Sequence, residues 1–321
     1  MIKNKSFKLI ILLCIISIVG LMFTGCISKT TDTRSDEKTE KNITGFPLMI
    51  KDSLGREVKI EKEPKRVVSL APGNTEILFA IEAGDKVVGV TKYCDYPPEA
   101  KTKEIIGGFS DPNIEKIVSI NPDLVLATTM HEKTVKELEK LNIPVIVLHA
   151  QTAEGVIKII NLAGKAVGHE KEAAAVTASM KEKIGSITEK IKDIPEKDRP
   201  SVYYEVWREP IMTAGPKTLI HDLITLAGGI NIGADAETDY PQYSVETLLK
   251  KNPDVMIAPD LHGSNTATLG KVKQRPGWSN ISAVKNNRVY LIEDDLITVP
   301  GPRVVDGLEA IAKALYPDRF D

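Results

Sequence analysis

The strongest constraint in this chain is an internal echo. Glu115-Lys-Ile-Val-Ser-Ile-Asn121-Pro122-Asp123-Leu-Val-Leu-Ala127 recurs as Glu246-Thr-Leu-Leu-Lys-Lys-Asn252-Pro253-Asp254-Val-Met-Ile-Ala258, at a constant offset of 131 residues. Each copy reads as a short helix, an Asn-Pro-Asp connection and a strand. A second pair keeps the same order: Ala83-Gly84 with Gly89, and Ala227-Gly228 with Gly233. Two matches in one order imply two related lobes. Between them, His169 to Asp193 has no proline and is rich in strong helix formers. Its apolar residues Ala173, Val176, Met180, Ile184, Ile187 and Ile191 fall at spacings of three and four, and Pro195 closes the run. As one helix, about 25 residues would span roughly 37 Å. Residues 169–193 are therefore predicted to be a rigid strut between the lobes.

On both sides of the strut, strands alternate with helices. After a small hairpin over Met49–Ile60 with its turn at Gly55, strand Arg66–Leu70 leads to helix Asn74–Ala83, which Gly84 is expected to end. Strand Val87–Thr91, helix Ile114–Ile120, strand Asp123–Ala127, helix Glu132–Leu141, strand Pro144–His149 and helix Thr152–Val167 follow. Beyond the strut the same grammar returns through strand Ser201–Val206, helix Thr218–Ala227, helix Val245–Lys251, strands Val255–Ala258 and Arg288–Ile292, and helix Val304–Leu315. Such alternation implies α/β lobes with mainly parallel sheets, over 47–168 and 194–321, and a ligand cleft between them.

The N-terminus is different in kind. Lys3, Lys5 and Lys8 precede the apolar run Leu9–Phe23, followed by Thr24-Gly25-Cys26. This order describes an export signal over 1–25, and roughly 15 apolar residues is short for a membrane span. The cysteine after the cut resembles that of a lipoprotein signal, so Cys26 is expected to carry lipid, although Phe23 replaces the usual leucine. Residues 26–46 are polar and charged, a flexible tether. With Cys14 lost in the signal and Cys26 lipidated, Cys94 remains as a lone thiol, expected to be small and half-buried. The expected location is the outer face of the cytoplasmic membrane. A net charge of −2, with both signs scattered, argues against a nucleic-acid binder.

Aromatic residues make up only 5% of the chain, yet many sit in loops at predicted strand ends. These loops are Ala71-Pro72-Gly73-Asn74, Lys92-Tyr93-Cys94-Asp95-Tyr96-Pro97, Gly107-Gly108-Phe109-Ser110, Trp207-Arg208, Tyr240-Pro241-Gln242-Tyr243 and Asp294-Asp295. Ligands of open parallel sheets face the carboxyl ends of the strands, and rings on such loops suit a large, flat, partly apolar ligand.

The stretches Arg66-Val-Val-Ser-Leu-Ala-Pro-Gly-Asn-Thr-Glu-Ile-Leu-Phe-Ala80, Gly89-Val-Thr-Lys-Tyr-Cys-Asp-Tyr-Pro-Pro98 and Gly107-Gly-Phe-Ser-Asp-Pro-Asn-Ile-Glu115 resemble the substrate-binding proteins of cobalamin and iron–siderophore ABC importers. The likeness covers nearly all of Ile50 to Pro317. It implies two α/β lobes joined by one long helix, and it is strongest to the cobalamin-binding branch. By that resemblance Tyr93, Phe109 and Tyr240 would lie against a corrin and Asp295 would stand where the branch has an aspartate. Val299 replaces an arginine contact of the branch, and Thr128 replaces a tryptophan. Tyr93, Phe109, Tyr240 and Asp295, with Pro72, Asn74 and Trp207, make the predicted cleft set. The implied ligand is a metal chelate, cobalamin or another corrinoid before a ferric siderophore or haem, so cobalt or iron would arrive with the ligand and no cofactor is held. The family likeness also assigns Glu115 and Glu246, one per lobe, to docking on an ABC permease that works with an ATPase. The first-turn position alone allows simple helix-dipole complementation instead. Each is expected to point outward while Ile114 or Val245 points inward. The chain is expected to be a monomer.

Enzyme chemistry has little support: there is no P-loop, HExxH, GxSxG or GxGxxG opening a helix. The five histidines, His131, His149, His169, His221 and His262, show no ligand spacing, which argues against a bare zinc or manganese site. His131 and His262 follow predicted strands and are the histidines nearest the expected cleft. Arg303, in Pro300-Gly301-Pro302-Arg303, either faces the cleft or packs the start of the last helix.

Overall fold

Buried apolar strands organise both lobes. In the computed structural model, which describes residues 45–260 and 269–320, Val67–Ser69 and Leu124–Ala127 are buried along their whole length, as parallel strands between helical layers require. The export signal, Cys26, nearly all of the tether and His262 lie outside the described residues. Phe46, expected at the end of the tether, instead packs against the core.

The first lobe opens with an antiparallel hairpin, β1 (Leu48–Lys51) and β2 (Glu57–Ile60), turned at Gly55. It continues through β3 (Val67–Ser69), α1 (Pro72–Ala80), β4 (Val87–Val90), β5 (Glu104–Ile105), α2 (Ile114–Ser119), β6 (Leu124–Ala127), α3 (Glu132–Lys140), β7 (Val145–Val147) and α4 (Ala153–Val167). The strut is α5 (Glu170–Glu189). The second lobe contains β8 (Ser201–Tyr204), α6 (Leu219–Leu226), β9 (Ile230–Asn231), α7 (Val245–Lys251), β10 (Val255–Asp260), α8 (Leu269–Lys273), α9 (Ser282–Lys285), β11 (Val289–Glu293), α10 (Asp295–Thr298) and α11 (Val304–Leu315). Among the described residues the first sheet runs β5-β4-β3-β6-β7 and the second β11-β10-β8-β9, both parallel throughout.

The echo is a structural repeat. Asn121 and Asn252 end α2 and α7 at φ 44° and 42°, a left-handed conformation that Asn tolerates. Asp123 Oδ2 accepts from the Lys65 and Arg66 N–H groups at 2.8 and 3.1 Å. Asp254 Oδ2 accepts from Ser201 N–H at 2.9 Å and its hydroxyl at 2.6 Å. Each aspartate thus clips the repeat to the start of the first sheet strand of its lobe.

The second letter match is two residues out of step. Helix α1 ends at Ala80, not Ala83, and Glu82 takes the left-handed position at φ 60°. Its N–H bonds to Phe79 O and that of Ala83 to Leu78 O, the same Schellman pattern that Gly228 and Gly229 make after α6. The counterpart of Gly228 is therefore Glu82. Gly84 serves close packing instead: a Cβ there would sit 2.5 Å from the Phe79 ring.

The strut is shorter than predicted. Lys190 caps it, and Ile191 N–H turns back to Thr188 O, tightening the last turn while keeping Ile191 buried. Ala173, Met180 and Ile187 are buried along it, while Val176 and Ile184 only edge the core. The strut packs on α4 and α1 of the first lobe and on α11 of the second. Lys183 Nζ pairs with Asp306 (2.6 Å) and Glu309 (2.7 Å) on α11, and Lys183 with Lys313 holds the Glu309 carboxyl down at about 2. At the other end His169 Nδ1–H donates to Ile81 O at 2.9 Å. Both lobes grip the same helix.

Candidate functional site

Each sheet has a topological switch point, between β3 and β6 in one lobe and between β8 and β10 in the other. In an open parallel sheet the ligand crevice lies outside the carboxyl ends of the strands at that point. At each point a buried side chain bonds to the end of a strand. Asn74 is buried, and its amide donates to Ala127 O at 3.1 Å across the first. Thr213 Oγ1 donates to Tyr204 O at 2.9 Å over the second. Asn74 is thus withdrawn from the predicted cleft set as a direct contact, because its donor is spent inside the lobe.

The lobes meet at the carboxyl ends of β3, β4 and β11. Arg303, the residue before α11, reaches the other lobe: Nε and Nη2 donate to Glu76 Oε2 (3.1 Å) and Oε1 (2.7 Å) on α1. Its Nη1 donates to Glu293 Oε1 at 3.1 Å, and Nη2 lies 3.9 Å from Asp295 Oδ2. The guanidinium carbon lies over the Tyr96 ring, 3.9 Å from its centroid. Glu76 is 4% exposed, and burial raises its carboxyl pKa against the pull of Arg303. Asp295 is also raised, first by burial and then by Asp95 of the facing loop. A second tie lies at α6, where Asp222 Oδ2 accepts from Ala153 N–H at 2.7 Å, joining the second lobe to the start of α4.

Exposed rings stand on loops of both lobes. On the first lobe the Tyr93 and Phe109 loops are joined by Lys92 N–H to Gly107 O at 3.0 Å. On the second, the Trp207 loop is zipped to the Tyr240 loop through Met212, which bridges both Trp207 and Gln242. Tyr93, Trp207 and Tyr240 are 55%, 59% and 50% exposed, and Tyr96 is 44%. Pro72, half-buried, starts α1 at the floor. The structure therefore gathers Tyr93 with Phe109, and Trp207 with Tyr240, and sets Asp295 opposite Asp95.

The remaining candidates separate. His131 is buried and not a cleft group: Thr128 N–H donates to its Nδ1 at 3.0 Å, and Nε2–H donates to Phe109 O at 2.7 Å. The Phe109 ring stands edge-on to it at 5.2 Å. His131 thus braces the Phe109 loop. Burial lowers its pKa, so its contribution to stability is present above the ordinary histidine pKa of about 6.5 and is lost as pH falls through the lower folded value. Thermal melts at pH 7.5 and 5 should show a loss on acidification that His131→Phe largely removes; an identical loss in the variant would assign the effect elsewhere. Cys94 is buried rather than half-buried, 3.2 Å from Thr91 Oγ1. Among the described residues no three His, Cys, Asp or Glu groups converge to hold a metal ion.

Glu115 and Glu246 are exposed in the first turns of α2 and α7, behind the N-caps Asn113 and Ser244. Neither has an ion-pair partner among the described residues. Val245 does not point inward as expected; it is 37% exposed and covers Gly277, while Leu248 supplies the buried face of α7.

Sequence reasoning missed Glu76 and Glu293, and noted Tyr96 only as part of a ring-bearing loop. Glu76 had a legible signal, a carboxylate inside an otherwise apolar helix beginning at a strand's carboxyl end. Arg303 was itself a candidate for the cleft, but its pairing with Glu76, 227 residues away, had no signal.

The family model for periplasmic binding proteins matches residues 67–296. The chain is 38% identical over 314 residues to the uncharacterized ABC transporter substrate-binding lipoprotein YvrC of Bacillus subtilis, covering 94% of this chain and 96% of that one. It is 32% identical to a cobalamin-binding protein of Halobacterium salinarum, over 84% of this chain and 74% of the other. The crystal structure of the periplasmic vitamin B12 binding protein BtuF of Vibrio cholerae superposes with a TM-score of 0.70 at 26% identity, covering 80% of this chain and 99% of that one.

Proposed function

Because the chain belongs to the periplasmic binding protein family, we propose that it is an extracytoplasmic solute-binding lipoprotein that captures a metal chelate between its lobes and delivers it to an ABC permease. The favoured ligand is cobalamin or another corrinoid. One observation supports this reading: Tyr93 on a loop of the first lobe and Trp207 and Tyr240 on linked loops of the second are each at least half exposed. A broad, partly apolar macrocycle offers matching area to the rings of both lobes, whereas a bare ion would need converging ligands. Similarity to a cobalamin-binding protein supports the corrinoid before a ferric siderophore or haem. On this reading the protein is a monomer without catalytic groups, anchored by lipid on Cys26, and Glu115 and Glu246 meet the permease. A diacylglycerol anchor would supply the two chains that stable attachment needs.

Calorimetric titration of the purified protein with cyanocobalamin, a ferric siderophore, haemin and zinc chloride in separate arms tests the proposal. Saturable 1:1 binding of cyanocobalamin is expected. Trp207→Ala and Tyr240→Ala should each weaken it about tenfold, as expected for loss of a ring anchor. Binding of haemin or the siderophore alone moves the chain to the alternative ligand class on the same fold, and tight zinc binding with no chelate bound overturns the reading.

A further inference from the structure

We propose that Arg303 and Glu76 are positioning residues of the cleft, forming with Tyr96 a lock that fixes the spacing of the lobes and of the aromatic rims. Only the consequence for ligand rests on the proposed function; the lock itself is testable without any ligand.

The lock joins opposite lobes by directional contacts. A guanidinium that donates two bonds to one carboxylate and sits over a ring is constrained in translation and tilt together. The backbone around it has no slack. A Cβ on Gly73 of the first lobe would lie 2.8 Å from Pro300 O of the second, and one on Gly301 would lie 2.8 Å from Glu76 Oε2. Prolines 300 and 302 flank Gly301 and restrict the loop that carries Arg303. The Asp222 to Ala153 contact ties the lobes a second time. Hinge bending needs a few residues free to absorb the rotation, and two polar ties beside one continuous helix oppose it.

Net stability is a weak reason for such a pair, since desolvation offsets much of the attraction between buried charges. Geometry is the better reason. Tyr96 belongs to the first lobe, yet its ring is oriented by an arginine of the second, and its outer surface remains exposed. Asp295 sits at the edge of the same guanidinium. One arginine therefore positions a ring and a carboxylate from different lobes.

Pulsed electron resonance between spin labels on ketone-bearing residues substituted for Glu115 and Glu246, one exposed site per lobe, reads the spacing and leaves the cysteines alone. In the parent protein a single narrow distance is expected. Glu76→Gln and Arg303→Met should each broaden it and shift its mean outward, and the double variant should add little because both remove one interaction. Arg303→Lys, which keeps the charge but not the fork, should fall between. Cyanocobalamin should leave the Arg303→Met protein roughly tenfold faster, since preorganisation is lost. Unchanged distances in folded Glu76→Gln and Arg303→Met overturn the lock, whatever their melting temperatures. Should Arg303→Met fail to fold, Glu76→Gln and Tyr96→Leu carry the same test. Widened distances in a protein that ignores cyanocobalamin would leave the lock standing and remove the proposed ligand instead.

Discussion

Arg303→Met is expected to cost about 3 kcal/mol of stability at neutral pH, a fall in melting temperature on the order of 6–10 °C. The side chains of Glu76 and Arg303 are 4% and 15% exposed, so removing the cation strands a carboxylate that water cannot reach. Glu293 and Asp295 lose the same neighbour, and Asp95 adds a further negative charge to the floor. Replacing both partners, as in Glu76→Met with Arg303→Met, should cost far less than the single change, because no buried charge remains. The pH dependence separates this from a packing defect. Burial already raises the Glu76 pKa, and without Arg303 it must rise further above the unfolded value of about 4.3. A carboxyl raised in the folded state contributes stability that is full below its unfolded pKa and is lost as pH rises through the folded pKa. The deficit of Arg303→Met should therefore shrink on going from pH 7.5 to pH 5, while that of the double variant stays flat. Urea melts at both pH values read this directly; an equal deficit for the single variant at both would mean that Glu76 is not the stranded group.

What the sequence made legible follows from how local each signal is. The strut, the strand–helix alternation and the Asn-Pro-Asp repeat depend on spacing within a few residues, and helices Val245–Lys251 and Val304–Leu315 begin and end where their patterns do. Boundaries failed where a residue did an unexpected job. Glu82 adopted the left-handed cap that Gly84 seemed to offer, and the hydrogen bonds of Ile191 closed the strut early. The cleft was legible only in part. Ring-bearing loops stand out against an aromatic-poor chain, but a polar residue at a strand end gives no hint of which way it faces. Asn74 and His131 both turned inward to satisfy backbone groups that would otherwise be buried without partners. The lock depends on pairing between distant segments, which no local period encodes.

On the proposed docking role, reversing both Glu115 and Glu246 to arginine should abolish uptake while leaving ligand affinity unchanged. Both carboxylates are exposed on short capped helices, and neither supports an internal ion pair among the described residues, so each reversal should cost only the first-turn dipole term, on the order of 1 kcal/mol. Against cationic partners the effect is larger. Placing like charges together at an interface costs on the order of 2 kcal/mol per site, roughly 30-fold. Two sites on separate lobes have no shared partner, so their losses should multiply to about a thousandfold in docking affinity. Single reversals should therefore retain measurable uptake and the pair should not. The strut and the lock matter here because two-point docking gains from a fixed separation, whereas a loose one would lower the effective concentration of the second contact once the first has formed. Uptake of labelled cobalamin by cells carrying each variant as their only copy, alongside calorimetry on the purified proteins, measures both quantities. Parallel loss of uptake and affinity would place these glutamates in the fold or the ligand site and would remove the docking assignment.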